Sequence, residues 1–332
     1  MANTEGYLVG VDAGGTTTRA LVADLTGARV GTGRAGGANP NSHPPEVAAE
    51  QVAAAIAAAL ASAGVPPDRV RAGVLGLAGA SKLADDRVAA LFDAAWHGAG
   101  LKCGLRVVTD AEAAFAAGTA ASDGTVLVAG TGSAAARIVN RRQVAIAGGF
   151  GWLLGDEGSA FWLGRQAVRA TLRTLATGAA LGALARSVLS TVVAMPEVSG
   201  DPMLRRSVVS RLITAVNAEP PIHLARLAPL VTSAAEAHDP LAAEIVEEAV
   251  DWLVRTARDA RSGGERTPVV VIGSVAAGGG VLGQRLLSAL EEACGGEVTV
   301  ASDGAAGAAW LASLELLGPA ALTLRPQLLS GT

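Results

Sequence analysis

The sequence predicts a duplicated α/β fold, two domains that repeat one strand plan. Two glycine-threonine turns, Asp12-Ala13-Gly14-Gly15-Thr16-Thr17-Thr18 and Gly130-Thr131-Gly132-Ser133, each follow a short apolar run and open onto another. Each turn is succeeded by a second hairpin, after which helix and strand patterns alternate. Hairpins with glycine turns in matching places point to a domain copied once and holding something between its halves.

The first half reads as strands at 8–11, 20–23 and 29–31, then a loop at 36–45 whose Gly, Asn and Pro content forbids regular structure. A helix over 45–63 follows, with Val52, Ile56 and Leu60 on one face. Residues 70–77 read as a buried strand, 85–96 as a helix and 105–109 as a strand ending at Asp110. Gly124 restarts the order, with strands at 126–128, 136–139 and 144–146 and a break at Asn140-Arg141-Arg142. The stretch 161–259 is helical in pattern, broken near Pro196, Gly200, Pro220 and Pro240. A strand at 269–272, a glycine-rich turn, a helix at 281–292, a strand at 298–301 and a helix at 305–317 complete the plan. The expected division is a domain over 1–120, completed by a C-terminal helix at 313–332, and a larger domain over 121–312 with a helical insertion at about 161–262.

Bulk composition narrows the function. At 332 residues, 50% hydrophobic and 17% charged, the chain is globular and long enough for two cores. The net charge of -4 and the lack of any Lys/Arg stripe argue against nucleic acid and acidic membrane as partners and for a small molecule. The only lysines, Lys82 and Lys102, stand outside any Gly-Lys-Ser/Thr context, so nucleotide chemistry must proceed without a Walker lysine. Cys103 and Cys294 have neither disulfide nor zinc spacing, and His43, His97, His223 and His238 lack ligand spacing. Reduced thiols, no basic-then-apolar start and no apolar run able to span a bilayer lead to an expected cytoplasmic location.

Several positions carry chemistry. A phosphate needs converging N–H donors, and glycine lets backbone approach it; Thr16, Thr17, Thr131 and Ser133 would add hydroxyls. Either turn alone is also a plain hairpin, and their recurrence favours phosphate. Asp12 ends a buried strand, where a carboxylate is costly unless water, a donor or a metal meets it. It suits magnesium carried by a nucleotide, with a turn cap as the alternative. Asp110 ends a strand and precedes an alanine-rich helix, so it is either that helix's N-cap or a base at a strand end. The stretch 148–159 packs glycines, Phe150, Trp152 and the paired carboxylates Asp156 and Glu157 between a strand and a helix, which suits a sugar. Asp156 or Ser159 can also cap that helix. The run Ile272-Gly273-Ser274-Val275-Ala276-Ala277-Gly278-Gly279-Gly280 ends a strand where backbone N–H groups could receive a nucleotide.

In chain order, Asp12-Ala13-Gly14-Gly15-Thr16, Asn39-Pro40-Asn41, Val108-Thr109-Asp110, Gly130-Thr131-Gly132-Ser133, Gly155-Asp156-Glu157-Gly158-Ser159-Ala160-Phe161-Trp162 and Gly273-Ser274-Val275 resemble the N-acetylglucosamine kinase family. That family lies within the sugar kinase, heat-shock chaperone and actin superfamily. The resemblance implies a duplicated ribonuclease H-like (actin-like) two-domain ATPase fold, ATP with Mg2+ in an interdomain cleft, and transfer of the γ-phosphoryl to the 6-hydroxyl of an amino sugar. It implies Asp110 as base, and Gly14, Gly15, Thr16, Thr17, Thr131 and Gly132 beside the phosphates. Asn39, Asp110, Ser133, Ala134, Gly149, Phe150, Asp156 and Glu157 would line the sugar. Gly273, Ser274 and Ala277 would border the adenosine, and Asp12 would hold the metal. A homodimer is a further expectation at family level.

Two departures bear on the sugar. Ala134 stands where the animal enzyme has Asn after its Gly-Thr-Gly-Ser, and Phe150 replaces a tryptophan. N-acetylglucosamine is the expected substrate, with glucosamine, muramic acid or another hexose derivative as alternatives. Two other classes fit the sequence less well: an iron-sulfur activator ATPase, for which Cys103 and Cys294 have no cluster-like context, and a sugar-responsive regulator, for which no basic helix-turn-helix extension is present.

Overall fold

The computed structural model describes residues 6–277, 279–301 and 303–331; of the glycine run, Gly278 lies outside them. The chain opens with β1 (Tyr7–Ala13), β2 (Thr17–Asp24), β3 (Arg29–Gly36), α1 (Pro45–Ala63), β4 (Val70–Leu77), α2 (Asp86–Gly98), β5 (Arg106–Thr109) and α3 (Asp110–Gly118). It restarts with β6 (Gly124–Ala129), β7 (Ser133–Val139) and β8 (Arg142–Gly148). The helices α4 (Ala160–Thr177), α5 (Ala183–Val193), α6 (Pro202–Asn217), α7 (Ala228–Glu236) and α8 (Pro240–Asp259) intervene before β9 (Val269–Ile272). The short α9 (Ser274–Ala277), then α10 (Val281–Cys294), β10 (Val298–Val300), α11 (Gly304–Leu317) and α12 (Arg325–Leu329) follow.

The sheets are ordered β3-β2-β1-β4-β5 and β10-β9-β6-β7-β8. Numbered within its own half, each runs 3-2-1-4-5, so the duplication read from the turns is a duplication of topology. In the first sheet β2 lies antiparallel to β1 and β3, while β4 is parallel to β1 and to β5. In the second, β9 is parallel to β6 and to β10. This is the duplicated, actin-like α/β fold. Two compact units result: Met1–Gly124 with Ile138–Val144 and Ala301–Thr332, and Thr125–Arg137 with Ala145–Val300.

In the first unit the sheet is covered on both faces, which explains the near-continuous apolar run of β1. Val9, Val11, Val22, Leu75 and Leu77 pack with α1 and with Phe92 and Trp96 of α2. Leu8, Leu21 and Val74, of opposite parity, pack with α3 and α11. α1 has the bounds its pattern predicts, buries Val52, Ile56 and Leu60, and ends on Gly64 in the left-handed region. The fully buried indoles of Trp96 and Trp310 donate to Cys103 O at 2.9 Å and Ala321 O at 3.0 Å.

The sequence placed the return of the C-terminal chain at 313; the helix that lies in the first unit begins at Gly304. Close approach explains why alanine and glycine, rather than a periodic apolar stripe, build it. A Cβ on Gly10 of β1 would stand 2.1 Å from Ala305 O, and one on Gly307 would stand 2.0 Å from Ala113 O. By length and composition, 45–63 and 304–323 are long and apolar enough to cross a membrane. Each buries a face in the core of its unit.

The second unit has two cores. One lies among α4 to α8; the other joins Leu127 and Val271 of the sheet to Leu253 of α8 and Leu286 of α10. The helical stretch breaks where prolines predict, and also after α4, where Gly178 takes a left-handed cap at φ 75°.

Candidate active site

In the first unit the sequence-predicted residues gather around the β1–β2 turn and the end of β5. Asp12 is the penultimate residue of β1. The turn is held by Gly14 N–H donating to Thr17 O at 3.1 Å, and it is tied to the following loop by Ala38 N–H donating to Gly14 O at 2.9 Å. His43 Nε2 lies 2.7 Å from Gly15 O, and buried Thr18 Oγ1 donates to Gly36 O at 2.7 Å. Neither residue was singled out from the sequence. Gly15 and Thr16 are left exposed on the turn and Thr17 partly so. Asn39 folds its Oδ1 back onto Asn41 N–H at 2.8 Å.

Asp110 is the first residue of α3, and the reading of it as the N-cap is corrected. Thr109 is the cap: its hydroxyl accepts from Glu112 N–H at 3.1 Å, while Glu112 accepts from Thr109 N–H at 3.2 Å, a reciprocal capping box. Asp110 is thereby released from capping, and its Oδ1 accepts from Ala111 N–H at 3.0 Å. Burial raises its pKa above the ordinary 3.8, with the Ala111 amide opposing.

Asp12 is more strongly perturbed. Burial pushes its pKa up to about 6, the negative charges of Asp110 and Asp303 add to the rise, and Arg19 opposes it. Asp303, which sequence reading passed over, caps α11 by accepting from Ala306 N–H at 3.0 Å and pairs with Arg29 at 2.7 Å. An Asp before a glycine-alanine helix start was the signal that could have found it. The glycine at the head of α11 is needed here, since a Cβ on Gly304 would stand 2.7 Å from Asp12 Cγ.

A divalent cation fits this chemistry. Asp12 resists ionisation among carboxylates, so positive charge there would be favoured. Among the described residues no group of three or more His, Cys, Asp or Glu forms a protein-only metal cage. Magnesium, which takes one or two carboxylates with water and phosphate oxygens, does not require one.

In the second unit the other set comes together. Gly130 N–H donates to Gly132 O at 3.0 Å, closing the β6–β7 turn and leaving Thr131 exposed. Ser133 N–H donates to Asp156 Oδ1 at 3.1 Å, and Ser133 Oγ donates to Glu157 O at 2.8 Å. The expectation that Ser133 offers a free hydroxyl donor is therefore corrected: its proton is used within the loop. Asp156 is buried at 8% exposure and adopts φ 59°, a left-handed conformation that Asp tolerates better than most residues. Burial raises its pKa, the Ser133 amide opposes and Glu157 adds to the rise. Ser159, not Asp156, caps α4, accepting from Trp162 N–H at 3.2 Å.

Gly149 N–H donates to Ser133 O at 3.1 Å, and a Cβ on Gly149 would touch that of Ala134 at 3.3 Å. Phe150 follows, 68% exposed. Gly273 follows the end of β9 with a φ of 105° that only glycine adopts readily; a Cβ there would stand 2.4 Å from Ala129 O and 2.8 Å from Gly130 N. The Gly273 and Gly130 turns are thus in contact. Beside them a pocket of about 280 Å³ lies among Leu163, Pro229, Val275 and Leu282, with Thr232, Glu236 and Ser274 as polar groups. Ser274 and Ala277 are exposed on α9.

The N-acetylmuramic acid/N-acetylglucosamine kinase of Clostridium acetobutylicum is 29% identical over 168 residues, 51% of this chain and 54% of its own length. The glucosamine kinase GspK of Vibrio cholerae is 30% identical over 170 residues, 50% of this chain and 54% of its own. The chain thus spans about half the length of the curated relatives it matches. Among solved structures, a proposed N-acetylglucosamine kinase of Chromobacterium violaceum aligns over 93% of this chain and 99% of its own at 27% identity, with a TM-score of 0.69. Residues 9–312 match the BadF/BadG/BcrA/BcrD ATPase family, and the chain belongs to that family.

Proposed function

We propose that this chain is an ATP-dependent amino-sugar kinase that transfers the γ-phosphoryl group to the 6-hydroxyl of N-acetylglucosamine, with glucosamine and N-acetylmuramic acid as alternative acceptors. The observation that carries the reading is Asp110, a carboxylate at a strand end whose capping duty is taken by Thr109. The names of the two curated relatives and of the Chromobacterium structure support the acceptor class.

Phosphoryl transfer asks a protein mainly for positioning and charge stabilisation. Asp110 accepts the proton of the sugar hydroxyl as that oxygen attacks, and its raised pKa brings it nearer the working range of a general base. The turn residues Gly15, Thr16 and Thr17, and likewise Thr131 and Gly132, offer N–H and hydroxyl donors to phosphate oxygens, while Gly14, its N–H held by Thr17 O, shapes the first turn. Asp12 would hold Mg2+, which would supply positive charge to the transferring phosphoryl group. The apolar pocket beside Gly273 and Ser274 takes the nucleoside, with Ala277 at its border. Asp156 and Glu157, with Asn39, Ser133, Ala134 and Gly149, set the sugar's orientation, and Phe150 offers a ring face to its C–H surface. A cytoplasmic homodimer is part of the same proposal.

The test is a coupled ADP-release screen over N-acetylglucosamine, glucosamine, N-acetylmannosamine, muramic acid and glucose, run with and without Mg2+. Sugar-dependent ADP release that needs Mg2+ is expected. Silence on every sugar, or ADP release indifferent to sugar, overturns the proposal.

A further inference from the structure

The strand register sets a charged stripe across one face of the first sheet. Asp12 of β1 lies directly opposite Arg19 of β2, and Arg19 lies directly opposite Arg34 of β3. Directly opposed residues on neighbouring antiparallel strands share a face, and like charges there are destabilising. Arg34 has no hydrogen bond or ion pair among the described residues, whereas Arg19 beside it has a partner and faces Asp12. The adjoining row, Leu21 opposite Thr32, brings a hydroxyl to the same face.

A third guanidinium joins them. Arg29 is folded against Asp303 at 2.7 Å and donates to Leu328 O at 3.2 Å. It is seated closely under the C-terminal backbone, where a Cβ on Gly331 would stand 2.7 Å from Arg29 Cδ. Arg19, Arg29, Arg34, Thr32, Asp303 and Gly331 all line one cavity of about 320 Å³ that Asp12 does not line. Its one acidic side chain, Asp303, is already engaged by Arg29 and by the α11 amide. The cavity therefore holds three guanidinium groups against one carboxylate, with a hydroxyl donor between them.

We propose that this cavity binds a phosphate-bearing dianion at a site additional to the phosphate turns, with Arg34 as its principal ligand. Guanidinium groups match phosphate oxygens in forked, charge-assisted pairs, and such a ligand meets the Arg34 guanidinium, which has no partner among the described residues. The same chemistry is offered by free phosphate, by pyrophosphate and by a sugar phosphate.

Isothermal titration of the full chain, first saturated with a non-hydrolysable ATP analogue, tests the inference with three probes in separate arms: inorganic phosphate, pyrophosphate and glucose 6-phosphate. At least one is expected to bind with one equivalent, to weaken roughly 10- to 100-fold in Arg34→Gln, and to recover in part in Arg34→Lys. The arm that binds tightest identifies the source of the phosphate. Arg34→Gln is expected to keep its sugar-dependent ADP release within twofold when no added anion is present, which separates this site from the kinase reading. Should the analogue not bind, an Arg34-dependent equivalent still appears alongside the binding at the turns. No binding by any probe to the wild type, or equal binding by Arg34→Gln, overturns the proposal.

Discussion

Replacing Asp12 by Asn should stabilise the fold while abolishing its chemistry. Asp12 ionises at about 6 in the folded chain against 3.8 for an ordinary aspartate, because it is buried and faces Asp110 and Asp303. A carboxyl with a raised folded pKa favours folding while it is protonated, and that contribution is lost as pH climbs from about 4 through 6. At 1.36 kcal/mol per pH unit, the interval from 3.8 to about 6 corresponds to ~3 kcal/mol carried as a penalty at neutral pH. The amide has no charge to bury. Urea titrations followed by circular dichroism at pH 4 and pH 7.5 should therefore find Asp12→Asn more stable than wild type by up to about 3 kcal/mol at pH 7.5 and nearly equal to it at pH 4. The same variant should lose Mg2+-dependent turnover. An Asn variant that is less stable at pH 7.5, or equally advantaged at both pH values, would refute the electrostatic reasoning.

Other consequences follow from single contacts. Thr109→Ala deletes the capping box of α3 and should cost about 1 kcal/mol in the same titrations, with turnover falling because Asp110 loses its fixed seat. Gly10→Ala drives a methyl to 2.1 Å from Ala305 O and should destabilise by ~3 kcal/mol or more, seen as a lowered unfolding midpoint. Gly273→Ala, at φ 105° and 2.4 Å from Ala129 O, should raise the KM for ATP in the ADP-release assay while leaving the first unit's unfolding unaltered. If Asp110 is the base, kcat/KM should fall tenfold per pH unit on the acid side, with a midpoint above 3.8 because burial raises its pKa; a midpoint at or below 3.8 would assign the limb to another group.

Much of this was written in local pattern. α1 and β4 have the bounds that periodicity and flanking Pro and Gly predict, and the recurring glycine turns announced the duplicated strand order. What was hidden depends on tertiary approach. The start of α11 is an alanine-glycine run with no stripe, because its packing on β1 works through absent side chains at Gly10 and Gly307. The choice of cap before α3 was open at Asp110, since Thr109 and Asp110 are both good capping residues and only backbone geometry separates them. Ser133 was expected to donate outward, and its use on Glu157 O depends on a loop 24 residues away. Arg19 opposite Arg34 is a matter of register, invisible until strands are paired.

The most direct measurement of the central claim follows the phosphorus. Wild type and Asp110→Asn are incubated with N-acetylglucosamine and γ-labelled ATP, and the product is identified by phosphorus NMR and mass spectrometry. Wild type should yield a phosphomonoester on the 6-oxygen of the amino sugar, formed ~100-fold or more slowly by Asp110→Asn although the variant still binds the sugar. Label found only as inorganic phosphate, or an Asp110→Asn variant that phosphorylates the sugar at the wild-type rate, would contradict it.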